Sequence, residues 1–420
     1  MANALTNAQT TAYQFEKVRP NISLMFQRDD TLLGKIKKST DVEIVSSRNM
    51  RQPARLLAGG IGSQFSPAGA DMGRGSGTTT DVFQLTPVFF SFAVEINKDV
   101  EAYTNTKAKA IEDVGKTELQ SALDQFNVLL EALLNTSGAG DLGLATAAPV
   151  GNVLSVDNAN QFADDQPVLF QNGLGTAPLG AQSYQILSVD PLNKQLVFKT
   201  ALPGGIVNGT IILINGSPGI TGSSLFGVEY LNLQANTGTF LQLSRAAYPG
   251  KITTPHVAFG GQPLTPQSAR LGLQLVRRAM GAKALEEAGL EFQFDLAGEA
   301  SWENVGLVVT QVIQNQLTGS SSEDMLKKSA PKSFCGYPMF VSIHAKPGRI
   351  DGIPLKHWGR AECQAIDFMD WGGQTMLPVV GASGGYSAAT LFYLWTGFQI
   401  FSDNPRLSLY MDGISLPSGY

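Results

Sequence analysis

The sequence predicts an α+β fold, and three stretches of the chain support this prediction. Between Phe90 and Ile96 every second residue is apolar, which is the pattern of a half-buried strand. From about Val100 to Leu134 no glycine–proline punctuation interrupts a helical pattern, and about 35 helical residues make a rod roughly 50 Å long. Between Pro149 and Pro218 short β-type runs alternate with turns.

The composition favours a protein whose surface is partly covered by other subunits. At 420 residues the chain can form two or three domains on the usual prior of about 150 residues each. Charged residues make up only 15%, against about 25% in typical soluble domains. In a large chain the expected cover for the missing charged surface is another subunit.

The net charge of −5 argues against a global basic field that could hold nucleic acid, so any contact with DNA should be weak and indifferent to sequence. Two cysteines do not form a disulfide framework and fit a reducing cytoplasm. The first residues lack the pattern of a signal peptide, and no run of about 18 apolar residues predicts a membrane span.

The N-terminal part predicts an extended arm followed by a long loop. Residues 1 to 45 should form the arm, with one or two helical turns and apolar side chains that dock in cis or in trans. Residues 46 to 81 are glycine-rich and weakly patterned, and loops of this length are usually functional or disordered.

The loop and the long helix carry opposite charge. Arg48, Arg51 and Arg55 lie in a stretch without a carboxylate between Glu43 and Asp71, and Arg74 follows in a glycine-rich segment. Acidic residues outnumber lysines on the helix: Asp99, Glu101, Glu112, Asp113, Glu118, Asp124 and Glu131 against Lys107, Lys109 and Lys116. Apolar residues at three- and four-residue spacing predict one buried stripe; they are Ile111, Val114, Leu119, Ala122, Phe126, Leu130 and Leu133.

Residues 150–218 predict an inserted small β-barrel or sandwich. This segment contains few charged residues. Five of its runs predict strands: 153–156, 168–170, 184–189, 196–198 and 210–214. Residues 190–193 have turn chemistry. The glycine-containing flanks, 138–140 and 216–219, favour linkers on either side.

Two helices and a β-rich end follow. Thr265 is an N-cap candidate before a proline at the first helical position, and that helix should reach about Gly281 or Gly289. A second helix should begin near Ser301. The C-terminal region predicts strands over 391–401 and 407–411, with a turn at 402–405.

Motifs that could carry chemistry are weak, and we predict no catalytic, cofactor-binding or metal-binding residue. Gly381 to Gly385 fits a nucleophile elbow around Ser383, but all three histidines precede it. Cys335, His344, His357 and Cys363 are spread singly, unlike the paired ligands of zinc sites. The glycine-rich segment 73–77 precedes a strand, whereas a phosphate loop follows one and opens a helix.

The order of these parts resembles the major capsid protein of tailed double-stranded-DNA bacteriophages, the Hong Kong 97 fold that encapsulins share. The resemblance covers most of the chain and includes the stretches 84–92 (QLTPVFFSF) and 225–230 (LFGVEY). It implies an N-terminal arm (1–45), an E-loop (46–81), a peripheral-domain strand and spine helix (82–135), an axial domain (136–385, with 150–218 inserted) and a C-terminal return to the peripheral domain (386–420).

The resemblance implies a structural shell subunit and not an enzyme. Copies would form pentamers and hexamers of an icosahedral virion head, assembled in the host cytoplasm around double-stranded DNA that is bound only non-specifically. Portal and decoration proteins are further implied partners. The loop would lie over a neighbour's acidic helix, with contacts from Arg48, Arg51, Arg55, Arg74, Glu112, Asp113 and Glu118.

Two departures from the family and three alternatives follow. No lysine lies between Lys38 and Lys98, so cross-linking through a loop lysine is not expected. Because the arm starts almost at Met1, we expect a separately encoded scaffolding protein. The alternatives are a phage tail or fibre protein, an encapsulin-type compartment shell, and a hydrolase using Ser383.

Overall fold

The computed structural model describes residues 31–40, 42–46, 49–60, 75–97, 114–180, 182–305, 333–372, 375, 377–380 and 386–416. These residues pack into two compact units. The first unit contains the described parts of Met1–Gly34, Val88–Leu225 and Glu362–Phe398, and the second contains those of Lys35–Pro87, Phe226–Ala361 and Gln399–Tyr420.

The described residues combine few helices with many strands. The helices are α1 (Thr31–Lys35), α2 (Val114–Leu134), α3 (Val228–Leu231), α4 (Pro266–Met280), α5 (Ala282–Glu287) and α6 (residues 296–305). The strands are β1 (Glu43–Ser46), β2 (Asn49–Leu57), β3 (Thr79–Leu85), β4 (Val88–Asn97), β5 (Asp141–Leu144), β6 (Val153–Ser155), β7 (Pro167–Gln171), β8 (Tyr184–Asp190), β9 (Gln195–Phe198), β10 (Ile211–Ile214), β11 (Thr239–Phe240), β12 (Leu243–Ser244), β13 (His256–Ala258), β14 (Leu290–Phe294), β15 (Ser333–Phe334), β16 (Tyr337–Val341), β17 (Ile350–Pro354), β18 (Trp358–Phe368), β19 (Leu377–Val380), β20 (Tyr386–Ser402) and β21 (Leu409–Asp412). Short 3₁₀ turns cover Ala159–Gln161, Arg245–Ala247 and Pro405–Leu407.

The first unit contains the predicted alternating strand and the predicted long helix. Strand β4 pairs antiparallel with β20 along its whole length, and Phe92 of β4 contacts Phe126 of α2 with ring centroids 6.0 Å apart. Of the predicted helical stripe, Ala122, Phe126, Leu130 and Leu133 are buried and Leu119 is half-buried, so the stripe is confirmed over this part of the helix. The predicted beginning of the helix, residues 100 to 113, lies outside the described residues.

A six-stranded antiparallel barrel follows in the first unit. The strand order is β5-β10-β7-β8-β9-β6, and an antiparallel bridge between Ala145 and Val156 closes the sheet on itself. Its interior is apolar, with the Phe170 ring 5.6 Å from Tyr184 and 5.7 Å from Phe198. All five runs predicted as strands are strands, and of the two predicted architectures the closed barrel is observed. Strand β5 was not predicted.

The predicted linkers at 138–140 and 216–219 are wrong, because these segments form a hydrogen-bonded neck. The carbonyl of Gly138 accepts hydrogen bonds from the backbone N–H groups of Gly222 (2.9 Å) and Ser224 (3.0 Å). The Ser217 hydroxyl donates to the Ala139 carbonyl at 2.5 Å. Gly140 has φ +76°, and a Cβ there would lie 2.7 Å from Ser217 Oγ. Glycine therefore permits this close pairing, and the barrel with its neck runs from 138 to 222.

Excising the barrel at its neck should leave a folded remainder. Deleting residues 139–221 joins two segments that already hydrogen-bond, so the deletion adds almost no loop-closure entropy. Deleting only 150–218 should instead produce aggregates, because it leaves β5 and the buried Leu142 without their partners. Thermal unfolding followed by circular dichroism, with gel filtration, compares the two. A cooperative melt for the shorter deletion and none for the longer would contradict this boundary.

The second unit is built on a six-stranded mixed sheet of order β13-β21-β17-β14-β16-β15. Helix α4 packs on it, with Gly272 so close to β21 that a Cβ would lie 2.6 Å from the Met411 side chain. The predicted N-cap is confirmed, since Thr265 accepts from the Ser268 N–H in a capping box before Pro266. The helix ends before Gly281, one of the two predicted ends, where φ is +92°.

The second predicted helix begins earlier than the sequence indicates. Helix α6 starts at residue 296 and not near Ser301, because the buried carboxylate of Asp295 accepts a hydrogen bond from the Gly298 N–H at 3.0 Å, as an N-cap does. Burial raises the pKa of Asp295 to about 6. Residues 306–332, where this helix was predicted to continue, lie outside the described residues.

Candidate subunit interface

Residues 46–81 are not the weakly patterned loop that the sequence predicts, because most of their described part is a β-hairpin. Strands β2 and β3 pair antiparallel from Met50 opposite Leu85 to Leu57 opposite Thr79, and the Gly60 N–H donates to the Ser76 carbonyl at 2.7 Å beyond them. Residues 61–74, between the two strands, lie outside the described residues.

The base of the hairpin is fixed to the second unit by contacts from one face of β3. The Phe83 ring packs edge-on against Phe240 with centroids 5.9 Å apart, and the Gln84 N–H donates to the Leu241 carbonyl at 3.1 Å. The Tyr248 hydroxyl donates to the Asp81 carboxylate at 2.9 Å. This hydrogen bond raises the pKa of Tyr248. The base of the hairpin is therefore held to this unit by packing and by hydrogen bonds.

The outer face of β2 presents the two described arginines of the predicted contact set. Exposure alternates along the strand, so that Arg51 and Arg55 are exposed while Met50 is buried. Four residues at about 3.3 Å per residue separate the two Cα atoms by roughly 13 Å. Arg51 lies opposite Glu43 of β1, and Arg55 lies opposite Thr80.

Neither guanidinium group forms a hydrogen bond or an ion pair with another residue in the described ranges. Arg51 has Glu43 as a cross-strand neighbour, and such pairs interact weakly at a surface. Arg55 has no carboxylate opposite it. Of the two, Arg55 therefore carries the less compensated charge and is the better candidate for pairing with a second chain.

Of the five other residues in the predicted contact set, only Glu118 lies in a described part of the chain. Arg48, Arg74, Glu112 and Asp113 lie outside the described residues, and Glu118 lies in α2. The pairing between the arginines and the acidic helix therefore stays a prediction.

Glu131, one of the acidic residues counted on the long helix, is not available for contacts with another subunit. Its side chain is fully buried, and its two carboxylate oxygens accept hydrogen bonds from the backbone N–H groups of Leu32 (3.0 Å) and Leu33 (2.7 Å). Glu131 thus holds the first turn of α1 against α2. The signal in the sequence is the run Leu129-Leu-Glu-Ala-Leu-Leu134, in which a single acid interrupts an apolar stretch.

The histidines and cysteines considered above as metal ligands do not form a cluster among the described residues. His357 Nδ1 lies 2.7 Å from the Asp403 carboxylate, His344 is fully buried, and Cys335 and Cys363 are free thiols. Among the residues that the structure describes, no group of three or more histidine, cysteine, aspartate or glutamate side chains could hold a metal ion. Ser383 lies outside the described residues.

Within the described ranges, no helix has both the length and the apolar character needed to cross a membrane.

No protein-family model matches this sequence, and no curated protein matches it. Solved capsid structures do match its fold. The capsid asymmetric unit of cyanophage A-1(L) aligns with a TM-score of 0.55 at 14% identity, covering 98% of this chain and 100% of that one. The capsid of an empty GTA particle aligns with a TM-score of 0.50 at 10% identity, covering 97% and 99%. The chain therefore has the mixed helix-and-strand fold of phage capsid proteins.

Proposed function

We propose that this chain is a structural shell subunit and not an enzyme. Copies assemble into pentamers and hexamers of an icosahedral head that encloses a phage double-stranded DNA genome. The observation that carries this proposal is the likeness to the cyanophage A-1(L) capsid, because it extends over 98% of this chain and 100% of the other. A chain whose whole length fits a shell protein has little left over for a different function.

In this proposal the observed elements take the roles implied by the sequence resemblance. The hairpin β2–β3 belongs to the E-loop (46–81), α2 to the spine helix, and the barrel to the insertion in the axial domain. The N-terminal arm (1–45) includes α1, which Glu131 fixes to α2. Strand β20 is the C-terminal return, because it pairs with β4 beside the spine helix.

The hairpin lies across a neighbouring subunit in the assembled shell. Arg51 and Arg55, together with Arg48 and Arg74, pair there with acidic residues of the neighbour's spine helix, namely Glu112, Asp113 and Glu118. Each exposed pair contributes only about 0–1 kcal/mol, so these charges set register and partner choice. The strength comes from area, since obligate interfaces bury about 2,000–5,000 Å² and are repeated around each subunit.

Reversing both hairpin arginines should prevent shell formation and leave the subunit soluble. The double variant Arg51→Glu, Arg55→Glu places like charges opposite the acidic helix, while both side chains are exposed in the subunit, so folding should be unaffected. A matched control is Lys194→Glu with Lys251→Glu, which changes the net charge equally at two other exposed positions. Negative-stain electron microscopy measures the outcome. Normal particles from the arginine variant would refute the pairing.

Cryo-electron microscopy of the expressed chain, with and without its scaffolding protein, tests the function as a whole. We expect closed icosahedral particles with separate five-fold and six-fold clusters. Fibres would favour a tail or fibre protein, and a stable monomer would refute the shell subunit. Small closed particles without DNA in infected cells would favour an encapsulin-type compartment. Portal, decoration and scaffolding partners would appear as additional density in virions.

A further inference from the structure

Helix α4 carries a basic face within a long stretch of the chain that has no acidic residue. Residues 230 to 285 contain no aspartate or glutamate, and they include Arg245, Lys251, Arg270, Arg277, Arg278 and Lys283. Arg270, Gln274 and Arg277 are spaced by four and then three positions, so they share one face of the helix. All three are exposed.

That face forms one wall of an open cleft in the second unit. The cleft has a volume of about 440 Å³ and is lined by Arg270, Leu273, Gln274, Arg277, Cys335 and Gly336. Cys335 and Gly336 form the turn between β15 and β16 with φ values of +51° and +89°. The two arginine Cα atoms are separated by about 10 Å along the helix axis, since seven residues rise about 1.5 Å each.

The dipole of helix α4 favours a cation at the position of Arg277 but not at that of Arg270. Arg277 lies in the last turn of α4, where a cation interacts favourably with the helix dipole. Arg270 is the fifth residue of the helix, close to the end where a cation is unfavourable. Neither guanidinium group forms an ion pair or a hydrogen bond with another residue in the part of the chain that the structure describes.

The lower part of the cleft is uncharged. Leu273 is buried and apolar, and burial raises the pKa of the Cys335 thiol even though nearby Arg270 opposes the shift. The thiol therefore stays protonated at neutral pH. A ligand that fits here needs two negative groups about 10 Å apart and a small apolar group between them.

We propose that this cleft binds an acidic peptide segment of a partner protein. In an extended chain the side chains at positions i, i+2 and i+4 face the same side, so two carboxylates four positions apart, about 13 Å, can reach both arginine side chains. An arginine binds a carboxylate through two parallel hydrogen bonds. An apolar side chain between the carboxylates covers Leu273 and the thiol. A nucleic-acid duplex fits less well, because its convex phosphate surface cannot enter a cleft of about 440 Å³. This inference goes beyond the proposed function and does not depend on shell formation.

The test is peptide binding to the full-length chain, measured by fluorescence anisotropy. The probe is a labelled peptide Gly-Glu-Ala-Leu-Ala-Glu-Gly, which has both glutamates and the leucine on one face when extended, and its control has glutamine in place of both glutamates. Arg270→Gln with Arg277→Gln should weaken binding about tenfold or more, as expected for the loss of charge-assisted hydrogen bonds. Arg278→Gln with Lys283→Gln removes the same charge nearby but outside the cleft lining, and should change binding less than about twofold. Melting temperatures establish that all three chains fold.

A second measurement locates the peptide. In a Cys363→Ser background, the bound peptide should slow alkylation of Cys335 by iodoacetamide, because it covers the thiol. Four results would overturn the proposal: no binding to the unmodified chain, equal loss in both double variants, alkylation that the peptide does not slow, or tighter binding of a labelled DNA duplex that the cleft variants abolish. The last of these would assign the cleft to nucleic acid.

Discussion

Replacing Arg349 by alanine should lower the free energy of unfolding by about 3–5 kcal/mol, the usual cost of removing one partner of a buried ion pair. Arg349 is 8% exposed and its partner Asp351 is 7% exposed. The guanidinium binds both Asp351 carboxylate oxygens, at 2.8 Å and 2.9 Å. Alanine would leave that carboxylate buried with only the side chain of Asn232 as a described partner.

Further contacts tie this arginine to three parts of the second unit. It donates to the Asn232 carbonyl at 3.0 Å, lies 3.5 Å from Glu229 of α3, and stacks over the Tyr410 ring of β21 at 4.5 Å. Burial alone would lower the pKa of Arg349, but the charges of Asp351 and Glu229 raise it above its ordinary value. The side chain is therefore charged at every pH at which the subunit is folded.

Two further variants serve as controls for this prediction. Urea unfolding monitored by tryptophan fluorescence gives the free energy of unfolding of the unmodified chain and of each variant. Lys346→Ala removes the other cation that contacts Glu229, but Lys346 is half exposed, so the loss should stay below about 1 kcal/mol. Arg349→Met with Asp351→Leu removes both buried charges. Its free energy of unfolding should therefore be well above that of the Arg349→Ala variant. An Arg349→Ala variant as stable as Lys346→Ala would show that the network contributes little.

The sequence was informative where structure is decided by near neighbours in the chain. The barrel strands were predicted because each short apolar run is bounded by its own turn, as at Asp190, whose carboxylate accepts hydrogen bonds from the N–H groups of Leu192 and Asn193. The N-cap of α4 was predicted for the same reason, since Thr265 and Ser268 are three residues apart. Both features need only local hydrogen bonds.

The hairpin at β2 and β3 was missed because one of its strands looks unlike a strand. Pro53 lies in the middle of β2, and proline cannot donate to a ladder, which argues against a central strand. Among the described residues β1 pairs only with residues 49–51, so the ladder that is described on this side of β2 does not extend to Pro53. The opposite strand, not the local sequence, therefore determines the pairing.

The candidate interface was predicted only in part. Arg51 and Arg55 were identified from charge alone, and their shared exposed face follows from the strand that was not predicted. The burial of Glu131 was not predicted, because its partners lie 98 and 99 residues away in the sequence, beyond the reach of helical periodicity. An acid on a helix is usually solvated, and only the tertiary fold reveals the exception.

Replacing Glu131 by alanine should lower the free energy of unfolding by about 2–5 kcal/mol, because each of the two buried N–H groups left unpaired costs about 1–3 kcal/mol. Leu32 and Leu33 are themselves buried, so water cannot replace the carboxylate without opening their packing. Hydrogen exchange at these two amides should accelerate more than exchange in α2, since α1 loses its anchor first.

Glutamine and a nearby aspartate supply the controls for this second prediction. Glu131→Gln keeps the size of the side chain and one acceptor oxygen, so it should lose an intermediate amount of stability. Asp124→Ala changes an acid on the same helix that is not buried, and should stay within about 0.5 kcal/mol of the unmodified chain. Two results together would contradict this prediction: Glu131→Ala is as stable as Asp124→Ala, and hydrogen exchange at the Leu32 and Leu33 amides is unchanged. The Glu131 carboxylate would then not hold α1 to α2. In the expected case this carboxylate is what fixes the first turn of α1 to α2.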